Sequence, residues 1–360
     1  MVFLEESKIY KNEDALSPEY LPEFLPHRET QIERIAKNIQ PACRGRPVQN
    51  MFIHGKPGIG KTACVKFVFR EFEDYSERVK TVYINTWNYN TAMAVLTKVT
   101  SELGFFIQRR GLSRDEVIER LIEALKKTRK SLIVCLDEVD QLIKKDESTL
   151  YDLLRLNQYV DNPIGLIMIS NYKDVFADVE PRIKSSLNVE EIEFKPYTLE
   201  EMKDILNERC KLAFKPGVVQ EGVVLLCANH AIQRGGDVRI GLECLRKAAR
   251  VCEEEDSEKL TVEHVKKILR GVGALKLKLM QESLKGVDKN VIDLLKEKNE
   301  MNSSELYKKY VERYGGISRY GLMKHINHLK KIGLVKTKDL RKGLKGRKFI
   351  IRLVKRKIFK

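Results

Sequence analysis

Residues 55–62 read GKPGIGKT, a glycine and a Gly-Lys-Thr triplet separated by four residues. That spacing lets successive backbone N–H groups turn inward around a phosphate chain, with the positive end of a helix behind them. Gly55, Lys56, Pro57, Gly58, Ile59, Gly60, Lys61, Thr62 and Ala63 are therefore the expected phosphate contacts. Lys61 is suited to the β and γ phosphates, and the Thr62 hydroxyl to Mg²⁺. Such a loop needs a strand before it and a helix after it. Residues 48–54 (VQNMFIH) and 61–72 (KTACVKFVFREF) have the required apolar run and helical spacing.

A second reactive group follows about 80 residues later. Residues 131–136 (SLIVCL) are apolar enough for a strand covered on both faces, and they end in Asp137 and Glu138. Ligands of open α/β sheets bind beyond such strand ends. Asp137 suits a water-mediated Mg²⁺ contact, Glu138 suits polarising an attacking water, and Asp140 suits capping the next helix. A further apolar run, 164–170, ends at Asn171, which either orients the water and senses the γ phosphate or merely forms a turn. Gly235-Gly-Asp-Val-Arg239 opens a helix, and Arg239 either reaches a phosphate or pairs with a nearby carboxylate. Ahead of the phosphate loop, Tyr20, Leu21, Pro22, Leu25, Pro26, His27 and Arg28 form a proline-stiffened apolar stretch. It either packs on the core or walls an adenine.

The elements that must hold these groups follow from periodicity. Strands and helices alternate over residues 48–195, which predicts an α/β fold with a three-layer parallel sheet. Ser113 and Glu116 have capping-box spacing, and Trp87 is expected to anchor packing. From 198 the pattern turns wholly helical, with segments at 198–211, 217–232, 238–254 and 261 to about 283. Residues 284–360 read as three helices and two strands, the arrangement of a winged helix. The expected domains are a mobile tail (1–19), an α/β nucleotide-binding domain (20–195), a helical lid (196–283) and a winged helix (284–360).

Charge assigns a partner. The net charge of +16 resides entirely in residues 284–360, which hold 23 Lys and Arg against 7 Asp and Glu; residues 1–283 hold 44 against 44. A domain so segregated is built to meet a polyanion. On its third helix Leu322, Ile326 and Leu329 make a buried stripe. Tyr320, Lys324, Asn327, His328 and Lys331 lie on the opposite face, with Arg319 at its start, as in a helix that reads a DNA groove. Arg341, Lys342, Lys345, Arg347 and Lys348 occupy the wing. His325 and His328 are expected at the surface. The seven scattered cysteines lack metal or redox spacing and fit reduced core thiols. The absence of a long apolar run or a basic leader fits a soluble intracellular protein that does not meet a membrane.

In this order, the phosphate loop, Leu-Asp-Glu strand, Asn-ended strand, lid opening with Gly-Asp-x-Arg and C-terminal winged helix resemble the archaeal origin-recognition/helicase-loader initiators. LPHRE (25–29) and PRIKSSL (181–187) before F-x-PY are the most family-specific pieces. The resemblance implies an AAA+ P-loop ATPase with ATP or ADP and Mg²⁺ as cofactors. Asn171 would be sensor 1, Arg239 sensor 2, and the Tyr20–Arg28 loop with Tyr197 part of the nucleotide pocket. It also implies an inserted DNA-contacting element, placed between Thr91 and Gly111 with Arg109 and Arg110 at its end. Clamp-loader relatives carry Ser-Arg-Cys where this chain has Ser185-Ser186-Leu187, which leaves Arg182 as the nearest substitute for a trans-acting arginine. The implied function is a slow ATPase switch that binds double-stranded origin DNA and recruits or loads an MCM-type replicative helicase, with a paralogous initiator as a possible partner, in the cytoplasm at the nucleoid. The alternative is a winged-helix transcriptional regulator with the same nucleotide switch.

Overall fold

The computed structural model describes residues 7–107, 111–271, 284–340 and 348–354, with 339, 340 and 348 described for their backbone alone. Two compact units emerge, Met1–Val265 and Lys266–Lys360. The first is built on five parallel strands, β1 (Asn50–His54), β2 (Val79–Asn85), β3 (Ser131–Asp137), β4 (Ile164–Ser170) and β5 (Val189–Glu193), in the order β2-β3-β4-β1-β5. Every residue of β3 and β4 is buried, as their unbroken apolar runs require of strands covered on both faces. Helices α1 (Glu29–Ile39), α2 (Lys61–Tyr75), α3 (Ala92–Glu102), α4 (Arg114–Thr128), α5 (Val139–Asp146), α6 (Ser148–Arg155) and α7 (Pro181–Leu187) complete the α/β portion. Ser113 and Glu116 form the expected capping box on α4.

This order matters for chemistry. Register pairs His54 with Ser170 and Asp137 with Ile169, so the segments that follow β1, β3 and β4 leave the sheet side by side. The phosphate loop, the Asp137-Glu138 pair and Asn171 are therefore neighbours, although about 75 and 110 residues separate the loop from the other two.

The helical portion comprises α8 (Leu199–Ala213), α9 (Val223–Gln233), α10 (Val238–Glu254) and α11 (262–271). A Thr198–Glu201 capping box starts α8. Residues 7–19, expected as part of a mobile tail, are instead packed here. Ile9, Ala15 and Leu16 are fully buried, Tyr10 stacks on Phe214 at 5.2 Å, and buried Arg209 of α8 donates to the carbonyls of Ala15, Ser17 and Tyr20.

The second unit has α12 (Gly286–Lys298), β6 (Glu300–Asn302), α13 (Ser303–Tyr314), α14 (Arg319–Lys331), β7 (Val335–Leu340) and β8 (Lys348–Leu353). Its antiparallel sheet runs β6-β8-β7, so a short strand absent from the sequence reading closes the wing's edge. Leu322, Ile326 and Leu329 do form the buried stripe of α14, against Val291, Leu295 and Leu306 among others. This is a winged helix. All seven cysteines are free, six of them buried. Among the described residues, no helix is long and apolar enough to cross a membrane, and no His, Cys, Asp and Glu cluster could hold a metal.

Candidate functional site

Gly60 starts α2 with a left-handed backbone (φ 93°) that favours glycine, and no side chain caps the helix. Its first-turn N–H groups are left for an outside acceptor, the condition an anion fulfils. Lys61 is buried and donates to the carbonyls of Gly55 and Lys56 at 2.7 and 2.8 Å and to Asn171 Oδ1 at 2.9 Å. Burial pushes its pKa down to about 8, against the pull of Asp137 and Glu138. Its bonded partners are all neutral oxygens, and a phosphate would give this ammonium a directly bonded anion.

Asn171 bridges two roles. Its amide donates to both oxygens of Glu138, at 3.2 and 3.0 Å, while its oxygen takes the Lys61 bond. Glu138 has φ 56° and ψ 42°, a left-handed conformation that costs a non-glycine residue about 1–3 kcal/mol. Burial, then the like charges of Asp137 and Asp140, raise its pKa above the usual carboxylate value. A strained, crowded carboxylate held by a neutral amide fits a group positioned to take a proton.

Beside it, Asp137 Oδ2 accepts from Thr62 Oγ1 at 2.6 Å and from the Tyr83 hydroxyl at 2.7 Å. Thr62 and Asp137 are thus already adjacent, the pairing a water-bridged Mg²⁺ would need. Tyr83 was missed by the sequence reading. Asp140 does not cap α5; Glu138 occupies the cap position, and buried Asp140 accepts from Ser170 Oγ at 3.0 Å. Trp87 is no packing anchor either, being 61% exposed just beyond β2.

The surrounding residues divide. Arg28 is buried behind the phosphate loop, where it donates to Ile59 O and Lys195 O at 2.9 Å each and lies 3.8 Å over the Tyr197 ring. It and Tyr197 brace the loop, and a Cβ on Gly60 would lie 2.9 Å from the Tyr197 hydroxyl. His27 pairs with Asp204 at 3.0 Å. The carbonyls of Leu21 and Pro22 accept from Arg70, and that of Tyr20 from Arg209. Leu25 is half-buried, and Pro26 lines a groove of about 1110 Å³ with His27, Asp204 and Phe214. No phosphate-loop residue lines that groove, so it is separate from the hydrogen-bonded cluster of Lys61, Asn171 and Glu138.

Arg239 is paired with a neighbouring carboxylate, Asp237, at 2.6 Å. Arg182 is exposed on α7, 3.7 Å from Glu180, and makes no bond to the cluster. On α14, Arg319, Tyr320, Lys324, Asn327 and Lys331 are all exposed, and Arg319 lies 5.1 Å over the Tyr307 ring. His328 is different: its Nδ1 and that of His325 each sit 2.8 Å from an oxygen of Asp288, so the imidazoles tie α14 to α12. Lys348 begins β8 opposite Leu340. Arg109, Arg110, Arg341, Lys342, Lys345 and Arg347 lie outside the described residues.

Residues 25–169 match the AAA ATPase domain family, and 203–268 match the Cdc6 AAA+ ATPase-type lid domain. The ORC1-type DNA replication protein of Pyrococcus abyssi is 35% identical over 373 residues, covering 97% of this chain and 88% of its own. This chain belongs to the ORC1-type DNA replication proteins. ORC1-type DNA replication protein 1 of Archaeoglobus fulgidus shares 42% identity over 274 residues, covering 75% of this chain and 67% of that protein. The Aeropyrum pernix ORC1 protein, solved in complex with DNA, superposes with a TM-score of 0.69 at 32% identity, covering 97% of this chain and 94% of the other. The archaeal initiator resemblance and the AAA+ fold with its winged helix are thus established, and such a fold is a nucleotide-binding one.

Proposed function

We propose that this protein is a nucleotide-switched replication initiator that binds double-stranded origin DNA and recruits or loads an MCM-type replicative helicase. The observation that carries the reading is the hydrogen-bonded run from Lys61 through Asn171 to Glu138, beside Thr62 and Asp137, in a chain that also bears a basic winged helix. The A. pernix relative, solved with DNA, supports the partner.

ATP is the substrate and ADP the product. The α2 first turn and Lys61 bind the phosphates, and Arg239 contributes from the lid. Thr62, and through water Asp137, would hold a Mg²⁺, which would supply charge neutralisation at the phosphates. Glu138 takes a proton from the attacking water, and its raised pKa brings it nearer neutrality, where a base is effective. Asn171 holds Glu138 while touching Lys61, so the base is aligned by the group that binds the triphosphate. Turnover is slow and serves as a switch. Arg182, exposed on α7, is suited to reach a neighbouring copy or a paralogous initiator rather than its own site. The protein acts in the cytoplasm at the nucleoid.

Footprinting on candidate origin fragments tests this, with wild type beside Lys61→Ala and Arg347→Ala. Protection that weakens with Arg347→Ala and changes with nucleotide only when Lys61 is present supports the reading. Occupancy of promoters without origin enrichment would instead favour a transcriptional regulator.

A further inference from the structure

The sequence assigns Asp237 no role of its own within Gly-Asp-x-Arg, yet three contacts converge on it. Its Oδ1 caps α10 by accepting from the Arg239 N–H at 2.9 Å. Its two oxygens also take Arg239 Nε at 3.0 and 3.2 Å and Nη2 at 2.6 Å, a fork-to-fork pair. Finally, the carboxylate lies on the phosphate loop itself. A Cβ built on Gly58 would fall 1.8 Å from Asp237 Oδ1, and the next residue, Val238, donates its N–H to Gly58 O at 3.0 Å.

The geometry of the fork leaves one edge of the guanidinium over. Nε and one Nη2 hydrogen face Asp237, while Nη1 makes no bond among the described residues. Arg239 remains 54% exposed although its anchor is only 18% exposed. An arginine held on one edge by a fixed carboxylate, with its other edge free, has already lost the rotamer freedom that binding an oxyanion would otherwise remove.

We infer that Asp237 is the positioning residue that holds Arg239 for the terminal phosphate and fastens it to the phosphate loop at Gly58. The inference rests on the nucleotide reading given above and deepens it. Asp237 touches no phosphate. It acts through Arg239, and its place on Gly58 makes the arginine's position depend on the same loop that grips the β phosphate. Gly58, at φ 69°, is left-handed and must also remain without a side chain to admit the carboxylate.

The experiment measures ATP and ADP affinity for wild type, Asp237→Asn, Arg239→Ala and the double variant. Asparagine keeps the cap and the volume but removes the charge that fixes the fork. The expected result is an ATP affinity lower by about fivefold to tenfold in Asp237→Asn, with ADP nearly unchanged and the melting temperature retained. In the Arg239→Ala background the same substitution should have no effect on ATP, because the group it positions is gone. Asp237→Ser, a second capping variant, should behave like Asp237→Asn. Equal losses for ATP and ADP, or losses that add in the double variant, would overturn the inference and leave Asp237 as a helix cap only. Wild type that binds neither nucleotide would instead defeat the underlying nucleotide reading.

Discussion

Thr62 donates to Asp137 Oδ2 at 2.6 Å, and Tyr83 donates to the same oxygen at 2.7 Å from the neighbouring strand. Were Thr62 to turn to a Mg²⁺, Tyr83 would be the one side chain still bonded to Asp137 Oδ2, while the Glu138 N–H holds Oδ1 at 2.9 Å. Groups that orient metal-site carboxylates commonly contribute 10–100-fold to metal affinity. Tyr83→Phe is therefore expected to weaken Mg²⁺-dependent ATP binding by about tenfold, the low end for a water-mediated contact. Binding measured in EDTA should be unaltered. Equal weakening with and without Mg²⁺ would show that Tyr83 merely supports the fold.

Lys61 sets a pH limit. Burial lowers its pKa to about 8 in the nucleotide-free protein, and a bound polyphosphate should restore it toward 10.5. Binding then takes up a proton above pH 8, and ATP affinity should fall by about tenfold per pH unit from there. The sign for stability is opposite. The native chain releases this proton before the unfolded chain does, so this group alone lets the nucleotide-free protein gain stability from pH 8 toward 10.5. Calorimetry at pH 9 in two buffers of different ionisation enthalpy reads the proton uptake directly.

Glu138→Gln separates binding from turnover. The glutamine cannot accept the proton, so hydrolysis should drop by about a hundredfold or more, within the range for loss of a general base. It also removes a charge that burial, and then Asp137 and Asp140, disfavour, which is why the Glu138 pKa is raised. A carboxylate with a raised native pKa is a liability above its ordinary value, so the variant should melt higher than wild type at pH 7 and lower or equal at pH 4. Single-turnover assays and paired melts check both halves.

The part of the site that could be read in the sequence is the part made of local geometry. Gly55–Thr62 carries its own turn and helix start, and Asp137 and Asn171 betray themselves as polar residues ending apolar strands. Tyr83 could not be read that way. It lies opposite Cys135, two positions before the Asn85–Asp137 pair on the same sheet face, and matters only once β2 is known to border β3. Nor could residues 7–16, whose buried Ile9, Ala15 and Leu16 have no period and answer to a partner nearly 200 residues away. Glu138 was legible as a carboxylate but not as a left-handed one.

That distant partner yields a stability prediction. Arg209 is buried, and its guanidinium takes three backbone carbonyls of the N-terminal segment. Arg209→Met keeps the stem and strands the Ala15 and Tyr20 oxygens, while that of Ser17 still accepts from the Tyr20 N–H, so the loss should be about 2 kcal/mol, the scale for unsatisfied buried acceptors. Denaturant unfolding measures it. Proteolysis between residues 12 and 20 should quicken in the variant well below its melting temperature, since Arg209 holds this stretch while Ile9 and Lys11 keep their own backbone bonds to the α8 end.

The winged helix offers a test that separates sequence from structure. Pattern alone places His328 among the DNA contacts, but its ring is engaged with Asp288 at 2.8 Å, whereas Lys324 and Lys331 are exposed on α14. If about six phosphates are neutralised, affinity should fall by roughly a thousandfold between 50 and 200 mM salt. Lys324→Ala and Lys331→Ala should each reduce the slope of log affinity against log salt by about one. His328→Ala should leave that slope unchanged and instead lower the melting temperature, by the equivalent of about 1 kcal/mol for one hydrogen bond to a charged group at a half-exposed position. Asp288→Asn, which loosens both imidazoles, should do the same without touching DNA. A slope altered by His328→Ala would mean that the imidazole leaves Asp288 for a phosphate when the duplex arrives.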